Sequence, residues 1–64
     1  MTDAKVRHLV SVKTELAEKY VRKARTSNSV TKRRQFENRA RTHRRKAEAL
    51  NALLAHRERE AVAA

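Results

Sequence analysis

The chain is 64 residues long, with 17 Lys plus Arg against 7 Asp plus Glu and a net charge of +10. That length allows one small domain, and the absence of Cys excludes disulfide frameworks and thiolate metal sites. Gly and Pro are absent too, so there is no Gly-rich phosphate loop and few ways to turn sharply.

Ala and Arg are the commonest residues, and with Lys, Glu and Leu these strong helix formers make up most of the chain. The pattern predicts an all-α chain: one helical-hairpin domain over residues 1–64. Helix 1 is expected from about Asp3 to Arg25. Its apolar positions Val6, Leu9, Val10, Leu16, Ala17, Tyr20, Val21 and Ala24 fall in one stripe, interrupted by Lys13. The only break in helical composition is TSNSVT at residues 26–31, where Ser, Thr and Asn compete for backbone hydrogen bonds. A loop is expected at 26–29. Asn28 is the candidate for the left-handed residue that ends helix 1, and Ser29 for the N-cap of helix 2, with Thr31 second.

Helix 2 is expected from about Val30 to Glu60. Phe36, Ala40, His43, Ala47, Leu50, Leu54, Arg57 and Ala61 repeat at alternating steps of 4 and 3, a heptad seam. The terminal AVAA is expected to fray. Glu15–Lys19, Glu18–Arg22 and Glu37–Arg41 are i,i+4 pairs in the favourable order. The expected core and pairing residues are Val6, Leu9, Leu16, Tyr20, Phe36, Ala40, His43, Ala47, Leu50 and Leu54. One hairpin of this size buries little apolar surface, so a homodimer closing into a four-helix bundle is the expected assembly.

The charge is concentrated. Residues 22–46 carry 11 basic residues and only Glu37, a net of +10, while residues 1–21 net +1 and residues 47–64 net −1. With Phe36 toward the core, Arg34, Arg41 and Arg45 lie roughly opposite, as a stripe on the outer face of helix 2. Arg33 and Arg44 flank it on one side; Lys32, Arg39 and Lys46 lie on the other. Arg22, Lys23 and Arg25 join from the end of helix 1. In an ordinary charged helix acidic residues are interspersed; here they are nearly missing. The pattern points to a polyanion. Arg outnumbers Lys 8 to 3 in this stretch, and its planar fork suits phosphate and guanine. The expected nucleic-acid contacts are Arg34, Arg41, Arg45, Arg33, Arg44, Lys46, Lys32, Arg22 and Arg25. Asn38 lies near the same outer face, within reach of a base edge; a solvated helix Asn is the plainer reading.

Other chemistry finds little support. His8, His43 and His56 are not spaced to converge on a metal, and His43 falls in the seam. No nucleophile–base or carboxylate pair is evident, so no enzyme, no cofactor and no small-molecule substrate are expected. Tyr20 and Phe36, the only Tyr and Phe, both fall on seam faces, which argues against a base-stacking platform. No apolar run approaches the ~20 residues of a membrane span. The opening MTDAKVRHLV lacks the apolar segment of a signal peptide. A cytoplasmic or virion-associated protein is expected, with no membrane partner.

Two local likenesses sit in the basic stretch. NRARTHRRKAEAL, Asn38 to Leu50, resembles the arginine-rich motifs of lambdoid-phage antitermination proteins. That likeness implies a helix in the major groove of an RNA hairpin. KRRQFENRARTHRRK followed by Leu50 and Leu54 resembles a basic region leading into a leucine zipper. It departs where Ala and Ser usually follow the Asn; Arg41, Thr42 and Arg45 stand there, and at most two zipper heptads remain. By length and helix layout alone, the chain is also similar to the dimeric hairpin bundles of plasmid RNA-binding regulators. The expected function is therefore nucleic-acid binding by a phage- or plasmid-type regulator or packaging accessory, with structured RNA slightly ahead of duplex DNA. The rival is an interaction protein whose basic end docks on an acidic surface of a polymerase, ribosome or capsid, helped by Val12, Leu53 and Val62.

Overall fold

Strong helix formers fill both halves of the chain, and both halves are helical. The computed structural model describes residues 2–63, with side chains for residues 2–62. It contains α1, Asp3–Thr26, and α2, Val30–Ala63, packed against each other as a hairpin. The rod measures 53 × 15 × 15 Å, and no strand occurs among the described residues.

Polar side chains set where each helix starts and stops. Thr2 is extended, and its hydroxyl accepts the Lys5 N–H at 3.2 Å. Asp3 in the first turn and Lys23 and Arg25 in the last complement the helix dipole. Thr26 stays helical, one residue beyond the expected end, and its hydroxyl donates back to the Arg22 carbonyl at 3.2 Å. The turn does not use Asn28 as expected. No described residue has positive φ, and α1 ends instead on an extended Ser27 at φ −78, ψ 132. In a chain without Gly this avoids the ~1–2 kcal/mol that a left-handed residue costs.

Ser29 caps α2, accepting the Lys32 N–H at 3.3 Å. Arg33 ties the turn together, since its guanidinium donates to the Ser27 carbonyl at 3.0 Å. At the far end, α2 runs past Glu60 to Ala63, so Ala61 to Ala63 are helical where fraying was expected. Nothing in that stretch breaks a helix, and Ala favours one. Ala64 lies outside the described residues. No helix is long and apolar enough to cross a membrane among the described residues.

One seam joins the helices. On α1 it runs through Val6, Val10, Lys13, Ala17, Tyr20 and Ala24; on α2 it runs through Phe36, Ala40, His43, Ala47, Leu50, Leu54 and Arg57. Every other α2 residue from 30 to 62 is exposed. Among the described residues only Val6, Ala17, Ala24, Ala40, Ala47 and Leu54 are buried. The alanines alternate with larger side chains, so the helices approach closely at Ala and the larger groups fill the steps between. Leu9, Leu16, Tyr20, Phe36, His43 and Leu50, expected in the core, are half-buried.

The ion pairs differ from those expected. Glu15–Lys19, Glu18–Arg22 and Glu37–Arg41 are not closed, as exposed pairs contribute too little to hold two long side chains. The free end is instead clasped between helices. Arg57 donates to Asp3 Oδ1 at 2.8 Å, and Arg7 approaches Glu58 at 3.9 Å.

Ala40 is 3 % exposed at a close approach of the helices. Ala40→Leu is expected to destabilise the hairpin by about 1–3 kcal/mol through overpacking. Circular-dichroism melting should show a lowered midpoint; an unchanged midpoint would mean the helices do not meet there.

Candidate nucleic-acid interface

The basic cluster occupies the loop half of the rod. All eleven of its cations, Arg22, Lys23, Arg25, Lys32, Arg33, Arg34, Arg39, Arg41, Arg44, Arg45 and Lys46, are exposed. The only acid among them, Glu37, forms no ion pair within 4.0 Å. Among the described residues no ion pair within 4.0 Å compensates these cations, so solvent and counterions carry most of the balance.

The cations have different surroundings. The seam of α2 runs through Phe36, Ala40 and His43, so helical geometry puts Arg34, Arg41 and Arg45 on the side facing away from α1. Among the described residues their side chains make no hydrogen bond or ion pair. Asn38 is exposed nearby; its backbone carbonyl accepts the Thr42 hydroxyl at 3.0 Å. Arg25 and Arg33 line a groove with Val21, Ala24 and Glu37 beside the loop. Arg44 lies further along the same broad side, next to Thr14, Glu18 and Glu48. Arg33 is partly committed to the Ser27 carbonyl, a structural duty that the sequence did not reveal.

On the opposite broad side the aromatic residues hold cations in place. Tyr20 stacks on Phe36 at 6.1 Å and on the His43 ring at 5.7 Å, with only 8° between the latter planes. Lys23 Nζ lies 5.5 Å from the Tyr20 centroid and 5.7 Å from that of Phe36, and the Arg39 guanidinium lies 5.7 Å from Tyr20. Such contacts contribute roughly 0.5–1 kcal/mol each at exposed sites and narrow the positions the two cations explore. The rings support cations on this side of the seam, a role their sequence positions could not show.

His43 joins seam and cluster. Its Nδ1 is buried without a hydrogen-bond partner. Burial, reinforced by the positive charges of Lys13, Lys46 and Arg39, holds its pKa below the usual 6.5. His8 and His56 are exposed, and His56 Nε2 lies 3.1 Å from Glu60. No group of three or more His, Cys, Asp or Glu is arranged to hold a metal among the described residues.

No protein-family model, no curated protein and no solved structure matches this chain.

The depressed His43 pKa ties stability to pH with a definite sign. Between the folded pKa and 6.5 the unfolded chain binds more protons, so stability is full above that window and is lost as pH falls through it. His43→Phe keeps a ring in the stack and removes the titration. The thermal midpoint of the native chain should fall more than that of the variant between about pH 7.5 and pH 5, across the window set by the histidine pKa. Equal falls would show that His43 carries no such linkage.

Proposed function

We propose that this is a non-enzymatic nucleic-acid-binding protein that acts as a regulator or packaging accessory. The observation that carries the reading is the basic cluster: eleven exposed cations around one acid, on the loop half of a rigid hairpin. Phosphate backbones are the polyanions that such a surface attracts, and the attraction supplies affinity without sequence preference.

The arginine stripe leads the contacts. The rod is 15 Å across between Cα positions, so the whole hairpin end is broader than a major groove of ~12 Å. A single helix fits such a groove, and α2 offers its outer face, Arg34, Arg41 and Arg45, free of α1. Arg33, Arg44, Lys32, Lys46, Arg22 and Arg25 then reach the flanking phosphates. We favour structured RNA over duplex DNA, because an arginine-rich helix suits a widened RNA groove. The hairpin pairs with a second copy into a four-helix bundle, which supplies the burial that six core residues leave short.

The second reading is an interaction protein. It draws on Val62, which is 89 % exposed, and on the groove that Val62 lines with Ala55, Glu58 and Arg59. Such a protein would dock its basic end on an acidic surface.

Salt titration of binding to a random-sequence duplex tests the first reading. With 6–8 phosphate contacts, the slope of log affinity against log salt should be about −5 to −7. Changing Arg34, Arg41 and Arg45 together to Ala should flatten it by roughly 2–3 and weaken binding to every sequence alike. If the triple variant binds all polyanions as the native chain does, the site is misassigned.

A further inference from the structure

The half of the rod away from the loop is nearly neutral and carries apolar groups on one broad side. Leu9, Val12 and Leu16 of α1 project there beside Leu50 and Leu53 of α2. Four of these are half-buried and Leu53 is 39 % exposed. The opposite broad side is polar at the same level, where Thr14, Glu18, Glu48 and Asn51 surround Ala17 and Ala47. The strip is therefore one-sided, and no described residue of the chain covers it further.

We infer that a second copy of this chain seats on the strip end to end, with the two loops pointing in opposite directions, and that both arginine stripes then face one side of the bundle to engage a single double helix at two places. This rests on the nucleic-acid reading above and adds the partner face, the direction and the target shape.

Three observations lead to it. The first is size. The core holds Val6, Leu54 and four alanines, and a chain of this length needs another source of burial. The second is charge. Residues 22–46 hold a net +10, so a dimer with its loops together would pile two such clusters at one end, whereas the end-to-end dimer keeps them apart. The third is register. Lys46 and Glu60 lie on the strip side of α2 at equal distances either side of Leu53, seven residues each way. A two-fold axis near Leu53 and Val12 sets each Lys46 opposite the other copy's Glu60 and each Leu9 opposite the other copy's Leu16. Lys5 and Lys19 meet at the outer rim, a like-charge contact that water and salt largely screen.

The consequence for binding follows from this symmetry. The axis runs across the face from α1 to α2, so α2 packs against its symmetry mate and the backs of both α2 helices point the same way. Arg41, in the middle of its stripe, is 12 residues from Leu53. At 1.5 Å per residue the two stripes lie ~36 Å apart. That matches the ~34–36 Å repeat along one side of a B-form duplex, so the clamp commits to duplex DNA in place of the RNA favoured above, each stripe meeting phosphates where α2 crosses the groove. The dimer is a two-point clamp on one duplex.

Single-cysteine variants test the register, because the chain has no Cys of its own. Leu53→Cys should be joined into a covalent dimer by a short bis-maleimide cross-linker, and Val30→Cys at the loop should not. The reverse pattern would put the loops together and overturn the proposal. Duplexes of roughly 12 and roughly 24 base pairs, one and two turns, test the clamp. The native chain should bind the longer about 100-fold more tightly, the lower range of avidity and above the ~10-fold gained from extra registers alone. Val12→Gln/Leu53→Gln, neutral changes that leave the cluster untouched, should stay helical by circular dichroism, sediment as a monomer and show only the register effect. A variant that still dimerises, or a native chain without the length step, overturns the clamp. Failure of the native chain to bind either duplex or RNA would instead remove the nucleic-acid reading, and the cross-linking result would stand apart from it.

Discussion

Two opposed forces meet in this hairpin, and the seam between α1 and α2 is where they balance. On one side are a few apolar contacts: Val6 and Leu54 near the free end, alanines at the close approaches, and a stack of Tyr20, Phe36 and His43 near the loop. Against them stands the repulsion among eleven cations crowded into the other half. None of the eleven cations closes an ion pair with a carboxylate among the described residues, so the structure relieves that repulsion by other means. The negative π-face of Tyr20 attracts Lys23 and Arg39, Arg33 spends its guanidinium on a backbone carbonyl, and burial with neighbouring cations lowers the His43 pKa. Each device makes the cluster tolerable without discharging it. An external polyanion would discharge it, which links the electrostatics of the fold to its proposed use.

The division of the rod follows from the same balance. The cross-helix ion pairs lie at the free end, where Asp3 meets Arg57 and Arg7 approaches Glu58. The apolar strip of Leu9, Val12, Leu16, Leu50 and Leu53 lies in that neutral half as well. The proposed pairing with another copy and the proposed polyanion binding would then use largely separate halves, sharing Lys46. The helices connect them rigidly, with no Gly or Pro to act as a hinge.

Much of the fold was legible because helices write their packing into local spacing. The alternating steps through Phe36, Ala40, His43, Ala47, Leu50 and Leu54 foretold the α2 seam, and Ser29 foretold its cap. What the sequence hid was mostly non-local. The Asp3–Arg57 clasp joins residues 54 positions apart, and the ring stack depends on the register of one helix against the other. Two local expectations failed because a cheaper alternative existed: extended Ser27 in place of left-handed Asn28, and open side chains in place of i,i+4 pairs. The exposure of Arg34, Arg41 and Arg45 was readable from the helical wheel, whereas the duty of Arg33 in closing the turn required the three-dimensional path of the loop.

The central claim is that the loop half exists to meet a nucleic acid. Pull-down of the whole chain from native lysate, divided and treated with or without nuclease, tests it most directly. The account predicts co-purifying RNA or DNA that nuclease removes, with few proteins left behind. A single stoichiometric protein that survives both nuclease and ~0.5 M salt, where surface charge is largely screened, would contradict it.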